Sequence, residues 1–172
     1  MLALLRRSLD ALSAAALWIA GGGMLAMTLV VAWHIFARYV LSDTPSWTEP
    51  IVLQLMSWFI LLGSAVGVRE SFHLGLDLVL VMVPQLLARL MELATLALVA
   101  GFGGAMAWYG ALLAIGTWDA RLPVLGVPGG VDYLPLVAGG ALIAIFGVER
   151  FIMRLRGVAL PAGDAVPARE VA

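Results

Sequence analysis

Cysteine and lysine are both missing from these 172 residues. Without cysteine there is no disulfide, no thiolate metal site and no cysteine nucleophile. Without lysine, all ten basic side chains are arginine. Histidine is scarce as well: His34 and His73 are the two in the chain, which leaves little for proton transfer or metal chelation. Charged residues make up 12% of the sequence, about half the share of an ordinary soluble domain. The net charge of −1 offers no basic surface to nucleic acid, so no such partner is expected. What remains is apolar. Hydrophobic residues reach 63% and the mean hydropathy is +1.04, the composition of a chain whose solvent is lipid.

Charges divide the sequence into four apolar runs. There are 27 uncharged residues between Asp10 and Arg38, 19 between Glu49 and Arg69, 26 between Glu92 and Asp119, and 16 between Asp132 and Glu149. A helical span needs about 20 residues, and backbone groups in lipid must bond within their own segment. The fold class expected is therefore an all-α integral membrane protein with four transmembrane helices, at about 11–37, 50–68, 86–118 and 131–150. The first run exceeds the apolar core of a cleaved signal peptide and is read as a retained span. Arg6, Arg7, Arg69, Arg89, Arg150, Arg154, Arg156 and Arg169 fall on one side, and Arg38 and Arg121 on the other. This bias puts both the N and C termini in the cytoplasm. Residues 70–83, whose leucines alternate like a strand, are read as a short interfacial cytoplasmic helix, since a lone strand there would lack a backbone partner. In that helix Arg69, His73 and Asp77 share one face, four residues apart. One membrane domain is expected over residues 1–156. Residues 157–172, rich in Ala, Pro and Gly, are expected to form a disordered cytoplasmic tail.

The inner stretches hold few groups able to do chemistry: Thr28, His34, Gln54, Ser57, Ser64, Thr95 and Thr117. Membrane proteins keep deep ionisable residues where they use them, and four spans this plain suit a helper subunit rather than a solute pathway. No catalytic group, cofactor or metal site is expected. His34 reads as an interfacial histidine rather than a haem ligand, because His73 falls on the opposite face. Small residues recur at helical spacing in Gly63-xxx-Gly67, Ala100-xxx-Gly104, Gly103-xxx-Ala107 and Gly140-xxx-Ala144, where helix backbones could approach closely. Arg38 and Glu49 flank one short connection turned by Pro45, and are expected to pair there.

A series of residues carries a resemblance. Phe36-Ala37-Arg38-Tyr39 closes the first span and Trp47-Thr48-Glu49 opens the second. Gly63 follows within that span, then Arg69, His73 and Asp77, and later Leu125-Gly126-Val127-Pro128 and Tyr133. From Leu9 to Arg156 this order resembles the DctQ-type small membrane (permease) subunit of tripartite ATP-independent periplasmic (TRAP) transporters. The family often has two acids after the Trp. Pro50 takes the second position here, and Pro135 stands nearest to the family's proline in the last helix.

The resemblance implies a small permease subunit, separate from rather than fused to the large one, in a bacterial inner membrane. It implies a one-to-one complex with a large TRAP permease that holds the substrate and ion sites, a periplasmic substrate-binding protein that delivers the solute, and symport of a small solute, an organic acid by default. The small subunit would be a static, non-catalytic scaffold. Arg38, Tyr39, Trp47, Glu49, Gly63, Gly67, Arg69, His73, Asp77 and Pro128 become the structural or interface candidates. The competing classes are a four-helix electron carrier or enzyme such as a b-type cytochrome, and an assembly subunit of some other membrane complex. The topology is testable with reporter fusions. A periplasm-active reporter should work at Asp43 or Gly126 and fail at Leu76 or after Arg156; high activity at Leu76 would overturn the orientation.

Overall fold

The computed structural model describes residues 2–70 and 85–156, with side chains from 7 and from 86 in the two segments. It is built of four long helices: α1 Leu2–Val40, α2 Thr48–Glu70, α3 Gln85–Gly116 and α4 Leu134–Leu155. A short 3-10 helix, Gly129–Tyr133, leads into α4. Each of the four is long and apolar enough to cross a membrane, which makes this a multi-pass, all-α membrane protein. Among the described residues the β-type pairing is an isolated bridge, Arg121 with Pro128. The helices outrun the expected spans. α1 begins nine residues before the expected 11 and α4 ends five residues after the expected 150, because a charged turn outside the hydrocarbon can stay helical at no desolvation cost. α4 also begins later than 131, since residues 129–133 wind as 3-10 before Pro135 enters the first turn, where its missing N–H is harmless. The expected surface helix and the tail lie outside the described residues.

In space the helices run α1–α2–α4–α3, so α4 is flanked by both α2 and α3. Two hairpins, α1–α2 and α3–α4, are joined where α2 meets α4.

The seams of these hairpins follow a strict alternation of three and four residues. Along α1 the inward positions are Ser13, Ala16, Ala20, Gly23, Met27, Val30, His34 and Ala37. Along α3 they are Leu93, Leu96, Ala100, Gly103, Ala107, Gly110, Ala114 and Thr117. That period keeps one face turned to a neighbour over the helix's length, as in a coiled coil. Most of these residues are small, and the backbones approach closely in consequence. A Cβ on Gly103 would lie 2.6 Å from the backbone nitrogen of Ala144, and one on Gly140 would lie 2.7 Å from that of Ala107. The Gly103-xxx-Ala107 and Gly140-xxx-Ala144 motifs thus face one another. Gly147 abuts Ala100 in the same seam, while Gly139 turns toward Leu61 of α2. Larger side chains fill the wider gaps. Ala16 and Ala20 pack with Leu62 and Val66, and Ala65 packs with Ile143 and the fully buried Phe146.

A leucine at position 140 cannot enter the α3–α4 seam without displacing backbone. Gly140→Leu should therefore cost about 1–3 kcal/mol, the usual penalty of overpacking, and lower the unfolding midpoint in detergent. Gly104→Leu is the control, because a Cβ there meets nothing within 4 Å. Equal destabilisation by both variants would remove close packing as the cause.

Candidate functional site

The polar side chains of the bundle gather at its two ends. At the end where α1 begins and α4 finishes, Arg69 in the last turn of α2 holds two carboxylates. It donates to Asp10 of α1 through Nη2, and its Nε lies 3.7 Å from Glu149 of α4. The guanidinium also stands over the Phe146 ring, 5.4 Å from its centroid, an attraction that strengthens where water is excluded. One side chain thereby ties three helices. On the far side of α4, Arg154 pairs with Glu92 of α3, which ties the fourth. Arg150 lies between these pairs, buried in the bundle and engaged with its neighbours. The side chains of Arg69, Glu149 and Glu92 keep less than a fifth of their surface exposed.

At the opposite end the ties are neutral. Thr48, fully buried at the start of α2, donates its hydroxyl to the Pro45 carbonyl at 2.8 Å. Its oxygen is therefore the acceptor for Nδ1 of His34 on α1, at 2.5 Å. This arrangement puts the histidine proton on Nδ1 and fastens α1 to α2. Gln54 of α2 donates to the Val131 carbonyl at 3.0 Å and so fastens α2 to the entry of α4. The loop between α3 and α4 is closed on itself. Leu122 N–H bonds to the Val127 carbonyl and Gly126 N–H to the Leu122 carbonyl, both at 2.9 Å. Gly126 has φ +66°, a conformation suited to glycine, and Arg121 donates to its carbonyl.

The candidate residues divide into three groups. Arg69 is the centre of the ionic cluster. Gly63 and Gly67 lie half-buried on α2, and a Cβ added at either meets nothing within 4 Å, so both remain open to a neighbour outside this chain. Arg38, Tyr39, Trp47 and Glu49 are exposed around the α1–α2 turn, and Pro128 precedes the 3-10 helix. No ion pair joins Arg38 to Glu49 among the described residues, in contrast to the expectation. Both charges sit in contact with solvent or headgroups, where pairing yields little, and His34 with Thr48 makes the connection instead. His73 and Asp77 lie outside the described residues.

Sequence reasoning took Asp10, Glu92 and Glu149 as limits of apolar runs and missed them as partners. A usable signal was present. Continuing the three-four period of α2 from Thr48 through Leu55 and Leu62 arrives at Arg69. Continuing that of α4 from Gly140 through Gly147 arrives at Arg154. An arginine in a helix seam needs a carboxylate from the facing helix at the same level.

Four spanning helices, tied by polar groups at both ends and packed through small residues between, define a compact multi-pass membrane subunit. The family model of the DctQ component of tripartite ATP-independent periplasmic transporters matches residues 27–157. The chain belongs to this family. It is similar to the C4-dicarboxylate TRAP transporter small permease protein DctQ of Vibrio cholerae serotype O1, at 30% identity over 100 residues. That match takes in 58% of this chain and 40% of the relative, so the chain spans well under half the length of the relative it matches.

Arg69→Leu would leave Asp10 and Glu149 without their partner at the edge of the bilayer. Its expected cost is about 2 kcal/mol, the scale for lost charge-assisted hydrogen bonds, read as a lower unfolding midpoint. Adding Glu149→Gln to Arg69→Leu should recover part of the loss, because the stranded charge is gone. Strict additivity of the two substitutions would exclude the pair as a stabilising contact.

Proposed function

We propose that this chain is the small permease subunit of a TRAP-type secondary transporter in a bacterial inner membrane. It is a non-catalytic scaffold for a larger permease that carries the solute. Both termini and the connection between α2 and α3 face the cytoplasm, as the arginine bias requires. A periplasmic binding protein delivers the solute, and a small organic acid fits the dicarboxylate carried in the name of the Vibrio cholerae relative.

Family membership supports the transporter. The observation that supports the scaffold role is the use made of the polar groups. Thr28, Ser57, Ser64 and Thr95 each donate to a carbonyl of their own helix, and Thr117, just past the end of α3, donates to that of Leu113. His34 and Gln54 are spent on ties between elements. The ionic groups of the cluster pair with one another near the helix ends. A hydrophilic solute would need such groups in place of its hydration water. Large apolar side chains instead line the outside, with Leu53, Met56 and Ile60 exposed on α2 beside the open Gly63 and Gly67. A helix of the permease packing there would find a shallow face that admits close approach.

Reconstitution tests the role. The permease and binding protein together should give little uptake in proteoliposomes until this chain is added at one-to-one stoichiometry. Gly63→Leu with Gly67→Leu should leave the chain's own unfolding midpoint unchanged, since an added Cβ at either position meets nothing within 4 Å among the described residues, yet abolish co-purification with the permease. Full uptake without this chain, or uptake by this chain alone, would refute the scaffold role. Normal co-purification of the double variant would move the interface elsewhere.

A further inference from the structure

We propose that the α3–α4 end of the bundle binds the phosphate of an acidic phospholipid headgroup through Arg89, Arg154 and Arg156. The inference starts from an imbalance between the two halves of one end. Around the α1–α2 hairpin, Arg69 faces two carboxylates, Asp10 and Glu149, so acid outnumbers base at that contact. Around the α3–α4 hairpin the ratio is reversed. Glu92 is engaged by Arg154, while Arg89 lies one turn earlier on α3 and Arg156 lies two residues beyond Arg154 at the end of α4. Arg89 and Arg156 are both exposed. Described side chains at this end of the molecule comprise six arginines (Arg7, Arg69, Arg89, Arg150, Arg154, Arg156) against four acids (Asp10, Glu70, Glu92, Glu149). The opposite end has the contrary balance: Arg38 and Arg121 against Asp43, Glu49, Asp119 and Asp132, all exposed. The surplus of base is therefore localised, and its exposed part sits largely on α3 and α4.

Arg154 carries the second observation. One of its terminal nitrogens is bound to Glu92, its Nε is buried with no acceptor among the described residues, and a third of the side chain remains accessible. A guanidinium has five donors arranged to match a carboxylate or a phosphate, and the accessible third of the Arg154 side chain can turn that geometry toward a headgroup. Arg154 lies in the last turn of α4 and Arg89 in the first turns of α3, near the charged limits of two apolar spans, and lipid phosphates lie just outside the hydrocarbon. Clustered arginines between or beside spans at that level recognise anionic headgroups, each near-surface basic residue contributing about a fivefold gain in affinity. The site depends on the charges of this chain alone and stands whether or not the permease is bound.

The probe is phosphatidylglycerol, titrated against the purified full chain in a neutral detergent and followed by native mass spectrometry. Phosphatidylcholine with the same acyl chains and inorganic phosphate serve as the other arms. Phosphatidylglycerol should be retained in preference to phosphatidylcholine. Arg89→Gln with Arg156→Gln should weaken that retention roughly 25-fold, from about fivefold for each arginine. Arg7→Gln, at the same end but on α1, should change it less than twofold, and inorganic phosphate should not compete at millimolar concentration. Equal retention of both lipids, or an unchanged affinity in the double variant, would overturn the site. So would an equal loss with Arg7→Gln, which would mean diffuse attraction, and so would competition by inorganic phosphate, which would mean a free-anion site. An unchanged unfolding midpoint in the double variant, expected because both side chains are exposed, separates lost binding from lost fold.

Discussion

Helices already immersed in lipid gain little by hiding apolar surface from one another, since hydrocarbon on one side is much like hydrocarbon on the other. What they gain must come from closer packing and from polar contacts that lipid cannot offer. The α3–α4 seam meets the first requirement with Gly103, Ala107, Gly140 and Ala144, whose missing side chains let backbone meet backbone. The position of α4 follows. It has glycine on two faces, Gly139 toward α2 and Gly140 and Gly147 toward α3, and so it can accept close neighbours on both sides. α1 packs principally on α2 and leaves its other faces, Gly21 and Gly22 among them, to the surroundings.

Polar contacts meet the second requirement, and they are placed by cost. A charged pair at mid-membrane carries a heavy desolvation penalty. The Asp10–Arg69–Glu149 and Glu92–Arg154 pairs stand near the helix ends, where headgroups and water reduce that penalty and where part of each arginine remains accessible. Between the two ends the hydroxyls of Ser57, Ser64 and Thr95 are turned onto their own backbones. Small seams alone would permit a helix to slide along its neighbour by a heptad. A specific pair at each end removes that freedom, with Asp10–Arg69 and His34–Thr48 fixing the register of α1 on α2 from opposite ends.

Much of this was legible in the residues. Charge spacing located four spans, because ions mark the hydrocarbon boundary with few exceptions. The small-residue motifs Gly103-xxx-Ala107 and Gly140-xxx-Ala144 were visible as candidates, and the structure sets them face to face. Gly63-xxx-Gly67 has the same spacing, yet a Cβ at either position meets nothing within 4 Å among the described residues, so spacing alone does not say whether a seam is internal or open. The spatial order of the helices was not legible either, since apolar runs of similar length carry no label for their neighbours. The pairings of Asp10, Glu92 and Glu149 were legible only in part: helical spacing marks Arg69 and Arg154 as seam residues, but which carboxylates meet them depends on helices far apart in sequence arriving at one level. The alternation of three and four along α1 and α3 could have been read. It was obscured because alanine and glycine give almost no hydropathy contrast.

The α1–α2 turn shows why the most conspicuous residues need not be the ones that bind. Arg38 and Glu49 have opposite charge, flank a short connection and belong to the motifs that mark the family resemblance, yet they remain exposed and apart. The turn is held by His34 and the buried Thr48, four and one residues away. The energetics favour this choice. An exposed ion pair gives up hydration and side-chain freedom for an attraction that water screens, leaving about 0–1 kcal/mol. The hydroxyl of Thr48 would be unsatisfied at full burial unless bonded, so its two hydrogen bonds are needed for the helix to start there at all. With the turn secured from within, Arg38, Tyr39, Trp47 and Glu49 stay exposed together at the end of the bundle, and their side chains hold no ion pair or hydrogen bond among the described residues.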